Sequence, residues 1–309
     1  MTNWTKNDIP DLKGKVFIVT GANSGTGYES ALALAEKGAT VVMACRNPKR
    51  AQDALAAIQR AVPAAKVEWM ELDLASLKSI RGFAEAFQSR FDRLDVLLNN
   101  GGVMGPARSV TQDGFETQFG VNDLGPFALT GLLLSVLQKT PASRVVNVSS
   151  RMHTTGKIAW DDLMSEHHYD NWAAYRQSKL AILLFTFEFN RRAEANGTLT
   201  RAVAVHPGLV ASRWVENNLK GFQALMMKTM SRVVSQSPAM AALPLLYAAV
   251  DAHVQPSSYY GPDHDTRGYP VVSRAAEAAY SESDAKRLWE ISAKLTGVKY
   301  EGLNGDRAG

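Results

Sequence analysis

The 309 residues predict one α/β domain over 1–309. The expected architecture is a doubly wound Rossmann-fold sheet of about seven parallel strands with helices on both faces. Three observations predict it. Short runs of β-forming residues alternate with helical runs along most of the chain. A glycine-rich turn, TGANSGTG at Thr20 to Gly27, stands between the first strand and the first helix. Later strands end in residues suited to binding at the carboxyl edge of a sheet: Asn99-Asn100-Gly101-Gly102, Ser149-Ser150 and His206-Pro207-Gly208.

Lys15–Thr20 is the first strand, a run of β-formers, and Tyr28–Lys37 follows with helical spacing. Thr40–Cys45 and Lys66–Leu72 are the next strands, separated by an amphipathic helix, Pro48–Ala61. Leu77–Phe91 is helical, Leu94–Asn99 a strand, and Gly125–Gln138 a helix leading to the strand Arg144–Ser149. A helix carrying Tyr175 to Phe189 then precedes the strand Arg201–His206. Beyond it the pattern loosens into a Met- and Leu-rich stretch, Val215–Val234, and an apolar helix, Ser237–Val250. We read 213–250 as a helical lid over an apolar substrate, with plain core helix the equal alternative for Val215–Val234 and a buried helix expected at Ser237–Val250. Gly125–Leu137 and Leu180–Phe189 are apolar nearly all round, although a sheet covers only one stripe of a helix. Their surplus is expected to lie at a subunit interface, in a homodimer or homotetramer, with cover from the same chain as the alternative.

Gly21, Gly25 and Gly27 let the chain turn tightly and let a pyrophosphate approach the backbone around Asn23, Ser24 and Thr26. The helix beyond them offers unpaired N–H groups to that phosphate. Tyr175 and Lys179 lie four apart on a helical pattern and share a face. A neighbouring ammonium favours a phenolate, so the pair suits proton exchange with an alcohol or carbonyl oxygen. A Ser hydroxyl of the Ser149-Ser150 pair, at the end of the fifth strand, can hydrogen-bond that oxygen. After the second strand come Arg46 and Asn47 with no carboxylate, and an arginine there can clamp a ribose 2′-phosphate. NADP(H) is therefore the expected cofactor.

Together these motifs resemble the short-chain dehydrogenase/reductase family in its compact branch, from about Lys13 to Ser212. The later runs ACRNPKR, VNVSSRMH and GPDHDTRGYP look like a retinol-dehydrogenase-like or protochlorophyllide-reductase-like subgroup. The resemblance implies a catalytic tetrad of Asn122, Ser150, Tyr175 and Lys179. Tyr175 would be the general acid/base and Ser150 would polarise the substrate oxygen. Lys179 would bind the ribose hydroxyls and lower the Tyr175 pKa, and Asn122 would support a relay water. It also implies cofactor contacts from Asp73 with Leu74, from Asn100, Gly101 and Gly102, and from Pro207, Gly208, Val210 and Ser212. Asp73 is also read as a helix N-cap, and Thr26 as a packing adjustment in the loop. Ser149 competes with Ser150 for the serine role. Met104, Met152, His153, Trp160 and Trp214 are the expected substrate pocket, with a structural hydrogen bond the preferred role for His153. The separation of Ser150 from Tyr175 is longer than is common in the family. The extra segment, roughly Arg151–Trp172, either lines the pocket or blocks a subunit contact.

Composition narrows the function further. Net charge is +4 with no dense Lys/Arg block, which argues against a nucleic-acid partner. Cys45 is the only cysteine, the N-terminus MTNWTKNDIP lacks a signal core, and no apolar run is long enough to span a bilayer. A cytoplasmic protein without a membrane anchor is expected. No H-e-x-x-h pattern or cysteine pair suggests a metal, and Asp263-His264-Asp265 reads as a loop between glycines. The sequence thus predicts an enzyme transferring hydride between NADP(H) and the carbonyl or carbinol carbon of a largely apolar substrate. A C=C reductase and a nonenzymatic NADP(H)-binding sensor are the alternatives.

Overall fold

A computed structural model describes residues 3–210 and 235–303. One eight-stranded sheet runs in the order β3-β2-β1-β4-β5-β6-β7-β8. Its strands are β1 Val16–Thr20, β2 Thr40–Cys45, β3 Lys66–Glu71, β4 Val96–Asn99, β5 Arg144–Val148, β6 Arg201–Val205, β7 Tyr259–Pro262 and β8 Pro270–Ser273. All pair in parallel except β7 with β8. The order reverses between β1 and β4, so the carboxyl ends of those strands open a crevice. The sequence had shown only the first six strands. The last two form an antiparallel hairpin whose turn contains Asp263-His264-Asp265.

The helices are α1 Gly25–Glu36, α2 Pro48–Ala61, α3 Leu77–Gln88, α4 Gly125–Leu132, α5 Leu134–Lys139, α6 Asn171–Ala195, α7 Pro238–Val250 and α8 Glu282–Thr296. Alternation along β1 divides the core. Val16 and Ile18 face a cluster with Phe83 and Phe87 of α3, Phe127 of α4 and Phe185 of α6. Phe17 and Val19 face Ala31 and Leu34 of α1, Ile58 of α2 and Leu245 of α7. The predicted helix Gly125–Gln138 is interrupted at Leu133, which separates α4 from α5.

Two expectations change here. The apolar surplus of α4 and α6 is covered within the chain, by Trp289 and Leu288 of α8 and by Val298 and Tyr300. It gives no reason for a subunit interface. The lid reading of 213–250 also fails over its second half. Ala242, Leu245 and Leu246 of α7 are core residues packed with α1. The first half, with Leu219, Phe222 and Met226, lies outside the described residues. Among those described, no helix is long and apolar enough to cross a membrane.

Candidate active site

The glycine loop leaves β1 and enters α1 with Gly21 and Gly25 at positive φ, 67° and 57°. Gly27 has no room for a side chain: a Cβ would lie 2.5 Å from both the Gly21 carbonyl oxygen and Asn100 Nδ2. Asn100, at the end of β4, holds the loop. Its Nδ2 donates to the Thr20 carbonyl at 2.9 Å, and its Oδ1 accepts from the Thr26 hydroxyl at 2.8 Å. Thr26 is therefore a tether between loop and sheet as well as a packing residue. Ser24, the N-cap of α1, makes no side-chain cap bond, so the first amides of the helix keep their donors for another acceptor.

In front of this loop lies a cleft of about 900 Å³. Gly21, Asn23, Ser24, Gly25 and Thr26 line it, with Asn100, Gly101, Gly102 and Val210. The cradle and its unsatisfied helix amides fit a dinucleotide pyrophosphate. The cleft also reaches Tyr28, Arg50, Asp53, Ala54 and Pro238, which the sequence reading did not select. Arg50 carried a signal, since RNPKR places it one helical turn beyond Arg46. Arg46 does not line the cleft; its side chain is 71% exposed, 3.8 Å from Asp73 Oδ1. Asn47 caps α2, accepting from the Arg50 N–H at 2.9 Å. Asp73 accepts from the Ala75 N–H at 3.0 Å and does not cap α3, a role taken by Ser76. Leu74 packs beside Gly101, where a Cβ would come within 3.1 Å of its Cδ1.

The expected tetrad gathers at the Gly102 end of the cleft. Asp170 caps α6, accepting from the Ala173 N–H at 2.6 Å, and Tyr175 and Lys179 follow on the next turns. Both are buried. Lys179 Nζ donates to the Val148 carbonyl at 2.9 Å and lies 5.7 Å from the Tyr175 ring centroid. Asn122 sits in a π-helical turn, Gly120–Leu124, a form of helix that often marks functional positions. Its Oδ1 accepts from the Val103 N–H at 2.8 Å, and its Nδ2 donates to the Val103 carbonyl at 2.9 Å and to Ser178 Oγ at 3.0 Å. Ser178, inside the Tyr-Arg-Gln-Ser-Lys run but unassigned from sequence, donates to the Tyr175 carbonyl at 2.8 Å. A Cβ on Gly102 would lie 2.8 Å from Asn122 Oδ1 and 3.8 Å from Lys179 Nζ. The bare glycine therefore keeps the space between those two atoms open.

The two serines separate by what they bond. Ser149 is buried and donates its hydroxyl to the Lys179 carbonyl at 2.7 Å. Ser150 Oγ accepts from the Met152 N–H at 3.2 Å, which leaves its proton available to another oxygen.

Electrostatics correct one expectation. Burial dominates at Tyr175 and pushes its pKa up, opposed by the Ser150 hydroxyl, so the ring does not carry the lowered value expected from Lys179. Burial pushes Lys179 down to about 8, opposed by the charge of Asp123. Burial likewise pushes Asp123 up, opposed by Lys179. A neutral phenol therefore stands beside Ser150 at neutral pH.

The expected substrate residues divide. Met104 and Met152 are half-buried. His153 is buried with both ring nitrogens engaged: Nδ1 donates to the Ser150 carbonyl at 2.6 Å, and Nε2 accepts from the Ala276 N–H at 3.0 Å. It is a structural residue and not a pocket wall. Trp160 packs on the α6–α8 cluster with the Arg287 guanidinium 4.3 Å over its ring. Pro207 accepts from Gln236 Nε2 at 2.7 Å, and Gly208 has φ 70°. Ser212 and Trp214 lie outside the described residues.

Known proteins resemble the chain over most of its length. The short chain dehydrogenase family model matches residues 15–221. Retinol dehydrogenase 12 of Mus musculus is 40% identical over 292 residues, covering 94% of this chain and 89% of that protein. Retinol dehydrogenase 13 of Homo sapiens is 40% identical over 294 residues, covering 93% and 86%. Among solved structures, an uncharacterized protein from Mycobacterium paratuberculosis matches with a TM-score of 0.80 at 37% identity, covering 97% of this chain and 99% of that one.

Proposed function

The chain belongs to the short-chain dehydrogenase family, and from that premise we propose an NADP(H)-dependent reductase or dehydrogenase of largely apolar aldehydes, ketones and alcohols. The observation that carries this reading is a buried Tyr175 beside Ser150 and one helical turn from Lys179, whose Nζ lies next to Gly102 of the glycine-lined cleft. When bound, the nicotinamide supplies or accepts the hydride. In reduction, Tyr175 gives its proton to the carbonyl oxygen; in oxidation it takes the proton of the alcohol. Ser150 donates a hydrogen bond to the same oxygen. Lys179, with one N–H committed to the Val148 carbonyl, would hold the ribose hydroxyls with its remaining donors. Asn122, fixed by Val103 and Ser178, faces Lys179 across the space beside Gly102.

Support for NADP(H) over NAD(H) is local. No acid follows β2, Arg46 is exposed beside it, and Arg50 lines the cleft. The two guanidiniums together suit a 2′-phosphate. The names of the retinol dehydrogenase relatives point to an apolar alcohol–aldehyde pair, and retinal belongs in the first substrate panel. A lone, buried Cys45 suits the cytoplasm as the compartment of action.

The test is NADPH and NADH consumption against aldehydes, ketones and enones, with product identification. NADPH-linked turnover to an alcohol is expected in the wild type and none in Tyr175→Phe, which should still bind NADPH. Turnover retained by Tyr175→Phe would remove Tyr175 as the acid. A saturated ketone from an enone would instead identify a C=C reductase.

A further inference from the structure

We infer that Gln118 is a positioning residue that fastens the segment between Ser150 and Tyr175 to the Val103–Arg108 loop, making them one wall of the substrate pocket. Through that wall it sets the bulk of the alcohol or carbonyl compound accepted. The inference rests on the oxidoreductase reading above and adds a determinant of its substrate range.

Gln118 is fully buried and stands four residues before Asn122 on the same run of helical turns. The Glu116 carboxylate fixes this turn, accepting from the Gln118 N–H at 2.8 Å and the Phe119 N–H at 2.7 Å. The amide of Gln118 then reaches two segments distant in sequence. Its Oε1 accepts from the Gly105 N–H at 2.7 Å. Its Nε2 donates to the Asn171 carbonyl at 2.8 Å and to the Tyr169 hydroxyl at 3.1 Å. The same two segments are also bonded directly. Tyr169 donates to the Pro106 carbonyl at 2.8 Å, Asn171 Nδ2 to the Gly105 carbonyl at 3.2 Å, and Arg108 Nε to the Ser165 carbonyl at 2.8 Å.

The position of this network gives it its meaning. The loop begins at Val103, whose N–H and carbonyl both bond Asn122. The segment ends at Asp170, the cap of the helix that presents Tyr175 one turn later. Neither segment lines the cofactor cleft, whose nearest member is Gly102. Both segments thus adjoin tetrad residues, the loop through the Val103 bonds to Asn122 and the segment through the helix that carries Tyr175. Three bonds to a buried amide hold both segments, and removing the donors takes away the Gln118 partner of the Asn171 carbonyl and of the Tyr169 hydroxyl, which loosens both segments together.

The test compares the wild type with Gln118→Glu, which keeps an acceptor for Gly105 and loses the NH₂ donors, and with Tyr169→Phe, which removes a single hydroxyl. The probes are NADPH with hexanal and with all-trans-retinal, plus amide hydrogen exchange. KM for retinal is expected to rise about tenfold in both variants, the cost of one well-placed hydrogen bond, while hexanal KM and both kcat values stay within about twofold. Exchange protection should fall together at Gly105–Arg108 and Tyr169–Asn171. An equal loss on both aldehydes, or no change on either, overturns the inference, as does one segment losing protection without the other. Should Gln118→Glu not fold, Tyr169→Phe alone decides. A wild type that turns over no carbonyl compound defeats the proposed function, whereas the exchange experiment still judges the wall.

Discussion

Gly102 is the residue on which the site turns. A methyl group there would enter the space between Asn122 and Lys179, and Asn122 is pinned by its bonds to Val103 and Ser178 and cannot retreat cheaply. Gly102→Ala is expected to lower kcat about tenfold or more while pyrophosphate binding persists, measured as turnover against NADPH affinity. Lys179 sets the pH limit. Its ammonium is pushed down to about 8 by burial, so it is protonated below that value and neutral above it. Tyr175 is pushed up and keeps its proton across the same range. Carbonyl reduction should therefore hold through neutral pH and fall as pH rises through about 8, and a flat profile to pH 9.5 would remove Lys179 as the titrating group. The positions of Tyr175 and Lys179 were legible because helical spacing and motif coincide. The direction of the Tyr175 shift was not, because desolvation depends on the packing around α6 and not on the four-residue interval.

Among the elements, the best-read ones carry their own stop signals. α2 matches its predicted span, Pro48–Ala61, because Asn47 caps it and Pro48 opens it. β7 and β8 escaped because Gly261, Pro262 and Pro270 read as loop, and because β8 exposes Val271 and Val272 without an alternating inner face. Gly261 is forced by packing: a side chain there would run into the His206 ring. The break between α4 and α5 has no Gly or Pro at Leu133 and left no trace in the sequence. The start of β1 depends on Asp95, just before β4. Its carboxylate accepts from the Val16 N–H at 2.9 Å and from Arg93 at 2.6 and 2.7 Å, with Lys15 at 3.1 Å. Desolvation works against this carboxylate, yet the bonds from Arg93, Val16 and Lys15 prevail and hold its pKa down. Asp95→Asn strands those donors and should cost about 3 kcal/mol in urea unfolding, with little effect on KM.

Over the whole molecule, the two faces of the sheet are closed by one chain, and the C-terminal residues contribute directly. Tyr300 is buried among Phe127, Phe185, Phe189 and Trp289, and its hydroxyl donates to the Phe127 carbonyl at 2.6 Å. Tyr300→Ala should lower stability by about 3–5 kcal/mol. Acid lability has a source in a buried histidine. His206 is buried against Tyr259, and burial pushes its pKa down to about 4. An unfolded histidine takes up its proton near 6.5, so between 6.5 and 4 the unfolded chain binds more protons than the folded one and stability falls as pH falls. His206 should contribute about 2 kcal/mol of loss between pH 7 and pH 5, with His153 acting in the same direction. His206→Gln should flatten that slope in urea titrations at the two pH values.

Val210 and Gln236 form an isolated parallel bridge, and the Gln236 N–H donates to the Leu209 carbonyl at 2.9 Å. In polymer terms, this bridge ties two points of the chain together at one node of the fold. Ring closure depends on length only logarithmically, about 0.6 kcal/mol per doubling. The separation in sequence between the two bridge residues can therefore change at small cost in closure entropy while the node itself stays paired.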